Sequence, residues 1–177
     1  MTITKNGNEL KLYLETSVWN FLEAPKSFEK MSLTKLLFNK IHQTIHISEY
    51  VSTIVIGEIQ RSKLSRKLLL ERFLTCYKPI ILKASPEFDE LADLYIEADI
   101  LSQKYFTDLY HIAIATVNSM DIVVSWNLRH IVKAKTIRET NTINREMGYD
   151  EIKILTPQKV LAHVSRTESN ERDSQNP

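Results

Sequence analysis

Five short apolar runs recur along the chain, and each is followed by a stretch of helical periodicity. The runs are LKLYLE from Leu10, TIHIS from Thr44, PIILK from Pro79, DIVVS from Asp121 and KIL from Lys153. Between them the spacing predicts helices over residues 28–43, 51–63, 66–77, 86–102, 107–120 and 135–147, and Thr156-Pro157 opens a short last one. A strand followed by a helix and another strand is the pattern of a parallel sheet, because a parallel connection has to cross the sheet and a helix covers that distance. We therefore expect an α/β protein, a three-layer α/β/α sandwich around a central, mostly parallel sheet. A single domain over residues 10–164 fits the chain's 177 residues. Residues 1–9 and the polar tail 165–177 are expected to be disordered.

Composition excludes several functions. Only three glycines occur, Gly7, Gly57 and Gly148, and none belongs to a GxGxxG or GxxxxGK[ST] pattern. A glycine-rich phosphate cradle is therefore absent, which argues against a nucleotide-binding Rossmann or P-loop enzyme. A formal net charge of +1 argues against strong, sequence-independent nucleic-acid binding while leaving room for local phosphate contacts. Cys76 is the single cysteine, so a disulfide framework and a cysteine zinc site are both excluded. In LLLERFLTCY it reads as a small core residue. The N-terminus lacks an apolar signal core, and no run reaches the length of a membrane span. The expectation is a soluble, cytoplasmic protein without membrane contact.

Four places carry polar groups where a purely structural role is least economical. In LKLYLETSVWNF the strand ends on Glu15, and Thr16 and Ser17 follow as helix N-caps. In VSTIVIGEIQRS, Val51, Ile54, Val55, Ile59 and Ser62 mark an apolar stripe, and Glu58 falls on it. A carboxylate there needs a partner or a cation. In TDLYHIAIATVNSM, Leu109, Ile112, Ala113, Thr116 and Met120 form the apolar face, with Asp108 in the first turn after the expected cap Thr107. Asp108 either complements the helix dipole or points into the cleft of Glu15. His111 lies one turn along and reads as a packed residue. In VVSWNLRH a strand ends at Ser125, and Asn127 follows. Ligands of open α/β sheets collect beyond the carboxyl ends of strands. Convergent carboxylates repel and call for a cation, and hard oxygen donors select Mg²⁺ or Mn²⁺ over Zn²⁺.

The order LYLETSVWNF, STIVIGEIQRS, FTDLYHIAIA and IVVSWNLRHI resembles the PIN-domain nucleases over about residues 10–160, and among them the VapC-type toxins of toxin–antitoxin pairs. The resemblance implies a metal-dependent endoribonuclease. By position, Glu15 stands at the family's first aspartate, Glu58 at its helical glutamate and Asp108 at its third acid. Asn127 stands where many members have a fourth aspartate, and Ser125 at the small hydroxyl before it. Glu15, Glu58 and Asp108 are the implied metal ligands, with Asn127 and Ser125 orienting water or phosphate. Glu15 and Asn127 depart from the family's aspartates. Implied partners are RNA, a small antitoxin and a second copy in a homodimer. Lys63, Arg66, Arg129 and Lys133 are candidate RNA contacts. The alternatives are a substituted PIN-like module that binds RNA or a protein without cutting, and a receiver-like α/β protein, which would want a lysine at a late strand end.

Overall fold

A computed structural model describes residues 9–174. The expected disorder of residues 1–8 and 175–177 lies outside the described residues. The elements run β1 (Leu10–Leu14), α1 (Thr16–Phe21), α2 (Phe28–Gln43), β2 (Ile47–Ser52), α3 (Thr53–Gln60), α4 (Leu64–Tyr77), β3 (Ile80–Leu82), α5 (Pro86–Glu97), α6 (Phe106–Val117), β4 (Ile122–Val124), α7 (Ala134–Glu146), β5 (Lys153–Leu155) and α8 (Pro157–Ser174), with single 3₁₀ turns at Pro25–Ser27 and Gln103–Tyr105.

The five strands form one sheet in the order β3-β2-β1-β4-β5, and every pair is parallel. The expected α/β architecture is the one observed. Leu12 in the central strand faces Glu49 on one side and Ile122 on the other. The chain steps from β1 to β2 to β3 in one direction, then crosses to β4 and β5 in the other. Right-handed crossovers put α2 and α4 on one face of the sheet and α5, α6 and α7 on the other, and α8, which follows the last strand, folds back onto the face of α2. The packing follows: α5 lies against α6 and α7, while α2 packs against α8. β4 is continuously apolar, as a strand buried on both faces must be, whereas β1 and β2 carry Lys11 and Glu49 and the edge strand β3 leaves Ile80 and Ile81 exposed. Leu12, Tyr13, Leu14, Ile122, Val123 and Val124 have no exposed surface.

Local chemistry moves several boundaries. The second strand runs to Ser52 and the following helix starts at Thr53, where residues 51–63 read as helix from the spacing. Tyr50, Val51 and Ser52 pair with Ile80, Ile81 and Leu82, so tertiary pairing of a β-branched and aromatic run overrides the helical stripe. Ser52, whose hydroxyl accepts from the N–H groups of Ile54 and Val55, caps α3. Helix α5 ends at Glu97, short of Ser102, because Asp99 turns left-handed at φ 50°. Helix α6 begins at Phe106, which places Thr107 inside its first turn instead of at the cap. The last helix continues to Ser174, past the residues the sequence reading assigns to the domain. Its first turns pack against the sheet and α2, and extending a nucleated helix costs little per residue. Cys76 is exposed, on the outer face of α4, instead of in the core.

One aromatic cluster ties the first half of the chain together. Trp19 of α1 meets Phe38 of α2 edge-on at 5.1 Å, and Phe38 meets Tyr77 of α4 at 4.5 Å. Trp19 and Phe38 are fully buried. Among the described residues no helix is long and apolar enough to cross a membrane.

Candidate functional site

The sheet changes direction between β1 and β4, the adjacent strands from which the chain departs on opposite sides. Such a switch point opens a crevice at the carboxyl ends of the two strands. Glu15 follows β1 directly and Ser125 follows β4, so the topology brings these two together.

Glu15 is 4% exposed. It, and not Thr16 or Ser17, is the N-cap of α1, accepting from the Ser17 N–H at 2.8 Å. The Ser17 hydroxyl also donates to Glu15 and accepts from the Trp126 N–H at 2.9 Å, which stitches the turn after β1 to the turn after β4. Ser125, fully buried, accepts from the Asn127 N–H at 2.8 Å and reaches the Glu15 carboxylate. Burial pushes the Glu15 pKa above its ordinary value, against the pull of His111 and these donors. A desolvated acid in this state is one whose ionised form a nearby cation would favour.

Glu58 projects from α3 and is 26% exposed, between the buried place its stripe suggested and full solvent. Its neighbours Val55 and Ile59 have no exposed surface. The Thr16 hydroxyl donates to Oε2, and His111 Nε2 lies 3.1 Å from the same oxygen. Burial works against ionisation of Glu58, but His111, Thr16 and Arg61 outweigh it and hold the pKa below the ordinary value.

Asp108 is 19% exposed and sits 2.9 Å from His130 Nδ1. Tyr105 lies over the His130 ring, with centroids 3.7 Å apart. Asn127 bonds Asp108 as well, and its Oδ1 accepts from the His130 N–H at 3.2 Å. Burial raises the Asp108 pKa more than His130, His111 and Asn127 lower it. His111, 1% exposed, feels all three acids. Burial disfavours its charged form, yet Glu58, Glu15 and Asp108 together hold its pKa above the ordinary value.

The structure thus gathers Glu15, Glu58, Asp108, Ser125 and Asn127 at one end of the sheet, around a histidine. Among the described residues no group of three or more His, Cys, Asp and Glu side chains is arranged to hold a metal ion; each acid turns instead to a protein donor. The donors are of the kind a hard cation takes from one or two carboxylates, with water completing its shell, as Mg²⁺ commonly does. They do not form a ready-made three-carboxylate cage.

The candidate basic contacts divide. Arg66 is committed to the fold: it donates to Asn20 Oδ1 at 2.9 Å, to the Glu23 carbonyl at 2.7 Å and to the Asn20 carbonyl. Lys63, Arg129 and Lys133 are exposed. Sequence reasoning passed over Tyr13, Ser52, Tyr105 and His130 as members of the cluster. Tyr13 did carry a signal, since it lies two residues before Glu15 and so shares its face of the strand. His130 carried none, because only the turn after β4 folds it back onto Asp108.

No family model matches the sequence, and no curated protein matches it. Among solved structures the chain is similar to one described as VapBC2 from Rickettsia felis bound to a DNA fragment from their promoter. The TM-score is 0.50 at 13% identity, over 83% of this chain and 98% of that one. At that identity the likeness is one of fold.

Proposed function

We propose that this chain is a metal-dependent endoribonuclease that cleaves RNA phosphodiester bonds with Mg²⁺ or Mn²⁺, as the toxin of a pair with a small antitoxin protein. The observation that carries the reading is the grouping of Glu15, Glu58 and Asp108 around His111 at the switch point of a parallel sheet. The fold of a VapBC2 structure supports the antitoxin, and the resemblance of the sequence to VapC-type toxins supports both the antitoxin and a homodimer. A single chain in sedimentation at micromolar concentration would speak against the dimer.

Glu58 and Asp108, the two half-open carboxylates, would hold the cation, and Glu15 adds its charge from the floor of the cleft. The cation supplies Lewis-acid polarisation of phosphodiester oxygens. Ser17 and Ser125 keep Glu15 in place, and Ser125 has no exposed surface with which to touch phosphate. Asn127 orients Asp108 and His130. Arg129, two residues after Asn127 and exposed, would steer the backbone of RNA.

A second reading is favoured by one observation: an amide, Asn127, bonds Asp108 where the family pattern has an acid. In that reading the module binds RNA or a protein and does not cut. Incubation of a mixed RNA pool with the purified chain and Mn²⁺ separates the two. Cleavage abolished by EDTA and by Asp108→Asn is the expected result. Intact RNA in every lane, with cleavage appearing only in Glu15→Asp/Asn127→Asp, would favour the binding module.

A further inference from the structure

Behind Glu58 runs a buried chain of hydrogen bonds that starts at Ser52, the last residue of β2 and the cap of Glu58's helix. Ser52 caps α3, its Oγ lying 3.2 Å from the Ile54 N–H and 3.4 Å from the Val55 N–H. Tyr13 Oη is 2.7 Å from Ser52 Oγ and 2.7 Å from His111 Nδ1. His111 Nε2 is 3.1 Å from Glu58 Oε2. Tyr13 and Ser52 have no exposed surface, and His111 has 1%.

The donors and acceptors give this chain a direction. The Ser52 oxygen already accepts two backbone N–H groups, so its proton turns to Tyr13. When His111 is neutral the phenol, kept protonated by burial, donates to Nδ1; when the ring is charged, the Nδ1 proton points back at the phenol oxygen. In both states Nε2 carries a proton, aimed at Glu58. Four elements take part: β2 ends on Ser52, the cap of α3, while α3 gives the acid, β1 gives Tyr13 and α6 gives His111. A glutamate has three side-chain torsions to fix, and an unanchored one samples many rotamers. Here Thr16 and His111 both meet Oε2, and Oε1 has no hydrogen-bond donor among the described residues.

We propose that Tyr13 and His111 are positioning residues that lock the Glu58 carboxylate by Oε2 and so present Oε1 to the cleft. Neither touches substrate. The role rests on the nuclease reading of the same cleft, because it is there that a misplaced Oε1 has a consequence.

The test compares Tyr13→Phe, His111→Gln and His111→Asn in the full chain. Glutamine places its amide nitrogen near the position of Nε2 and can still donate to Glu58; asparagine is too short to do so. Tyr13→Phe and His111→Asn are expected to weaken Mn²⁺ binding, read by electron paramagnetic resonance, and to lower kcat by about 10-fold or more with little change in KM. His111→Gln should recover most of both. Equal behaviour of the Gln and Asn variants at matched thermal stability would overturn the proposal. A second readout is independent of metal and activity. The His111 Nε2 proton, hydrogen-bonded to Glu58, should give a slowly exchanging low-field NMR signal that Tyr13→Phe shifts or broadens. Its presence in a wild-type chain that neither binds Mn²⁺ nor cuts RNA would keep the positioning role and refute the nuclease reading. A signal unaffected by Tyr13→Phe would refute the positioning role itself.

Discussion

Two buried polar clusters both draw on α6, the one taking Asp108 and His111 from its first half and the other Thr116 from its last turn, and they treat polarity in opposite ways. Around α7 the groups are neutral. Asn141 donates to the Ile152 carbonyl at 3.0 Å and accepts from the Ile152 N–H at 2.9 Å, standing in for a neighbouring strand. Asn144 accepts from the Tyr95 hydroxyl and donates to Asn141 at 3.2 Å and towards Thr116 at 3.4 Å. The cluster closes on itself, and burial pushes the Tyr95 pKa far upward, so the phenol stays protonated. At the switch point the groups are three acids and two histidines, His111 and His130, and burial opposes the ionised form of each acid. A neutral network that satisfies every member rigidifies a core. A charged one with exposed rims keeps an unmet demand for positive charge, which is the property expected of a site.

The comparison predicts that the neutral cluster dominates stability. Asn144→Ala removes the acceptor of a fully buried phenol and should cost about 2–3 kcal/mol, read by urea unfolding. Asn141→Ala, which frees Ile152 at the entry to β5, should fall in the same range. Cleavage per folded molecule should be unchanged in both. If either variant lost activity while remaining folded at the assay temperature, the separation of the two clusters would be wrong.

How much of this was readable in the chain depends on how each feature is encoded. The alternation of apolar runs and helical stripes carried the sheet, and α2 falls on the expected residues 28–43 because its periodicity meets no competing pairing. The start of α3 was not readable from periodicity, since Val51 fits a helical stripe and a strand equally, and only the partner strand β3 decides. Glu15, Glu58 and Asp108 were legible as acids out of place. The network around them was not: Tyr13 shares a strand face with Glu15, but its bonds to Ser52 and His111, and the approach of His130 to Asp108, are contacts distant in sequence. Arg66 looked like any surface cation, and its three bonds to the end of α1 depend on the packing of α4.

A smaller effect should come from giving the site the charge it lacks. Asn127→Asp keeps an acceptor for the His130 N–H but replaces the amide that bonds Asp108 with a second carboxylate. Without metal the variant should lose about 1 kcal/mol, and Asp108 should titrate higher still. Added Mn²⁺ should raise its melting temperature by more than it raises that of the wild type, because a ligand stabilises whichever fold binds it more tightly. Equal shifts in the two proteins would mean that Asn127 lies outside the reach of the cation.

The smallest effect is the pH dependence that only the charged cluster can generate. The His111 pKa is raised above its ordinary 6.5, so its contribution to stability is fully present below that value and is lost as pH climbs through the folded-state pKa. The Glu15 and Asp108 pKa values are raised above 4.5 and 3.8. Their ionisation therefore also drains stability as pH rises from those ordinary values to the folded ones. Glu58 acts in the other sense, since its pKa lies below 4.5 and its contribution is lost only as pH falls through that lowered value. From pH 5 upward the cluster's contribution to the melting temperature of the wild type should decline. His111→Gln should flatten the curve, whereas Asn144→Ala should run parallel to the wild type at a lower level, since no group of its cluster titrates in that range. Glu49, whose pKa burial also raises, is common to all three proteins and cancels in the differences. A His111→Gln curve as steep as the wild type would show that the histidine does not sense the acids around it, and would remove the electrostatic basis for treating the cleft as one unit.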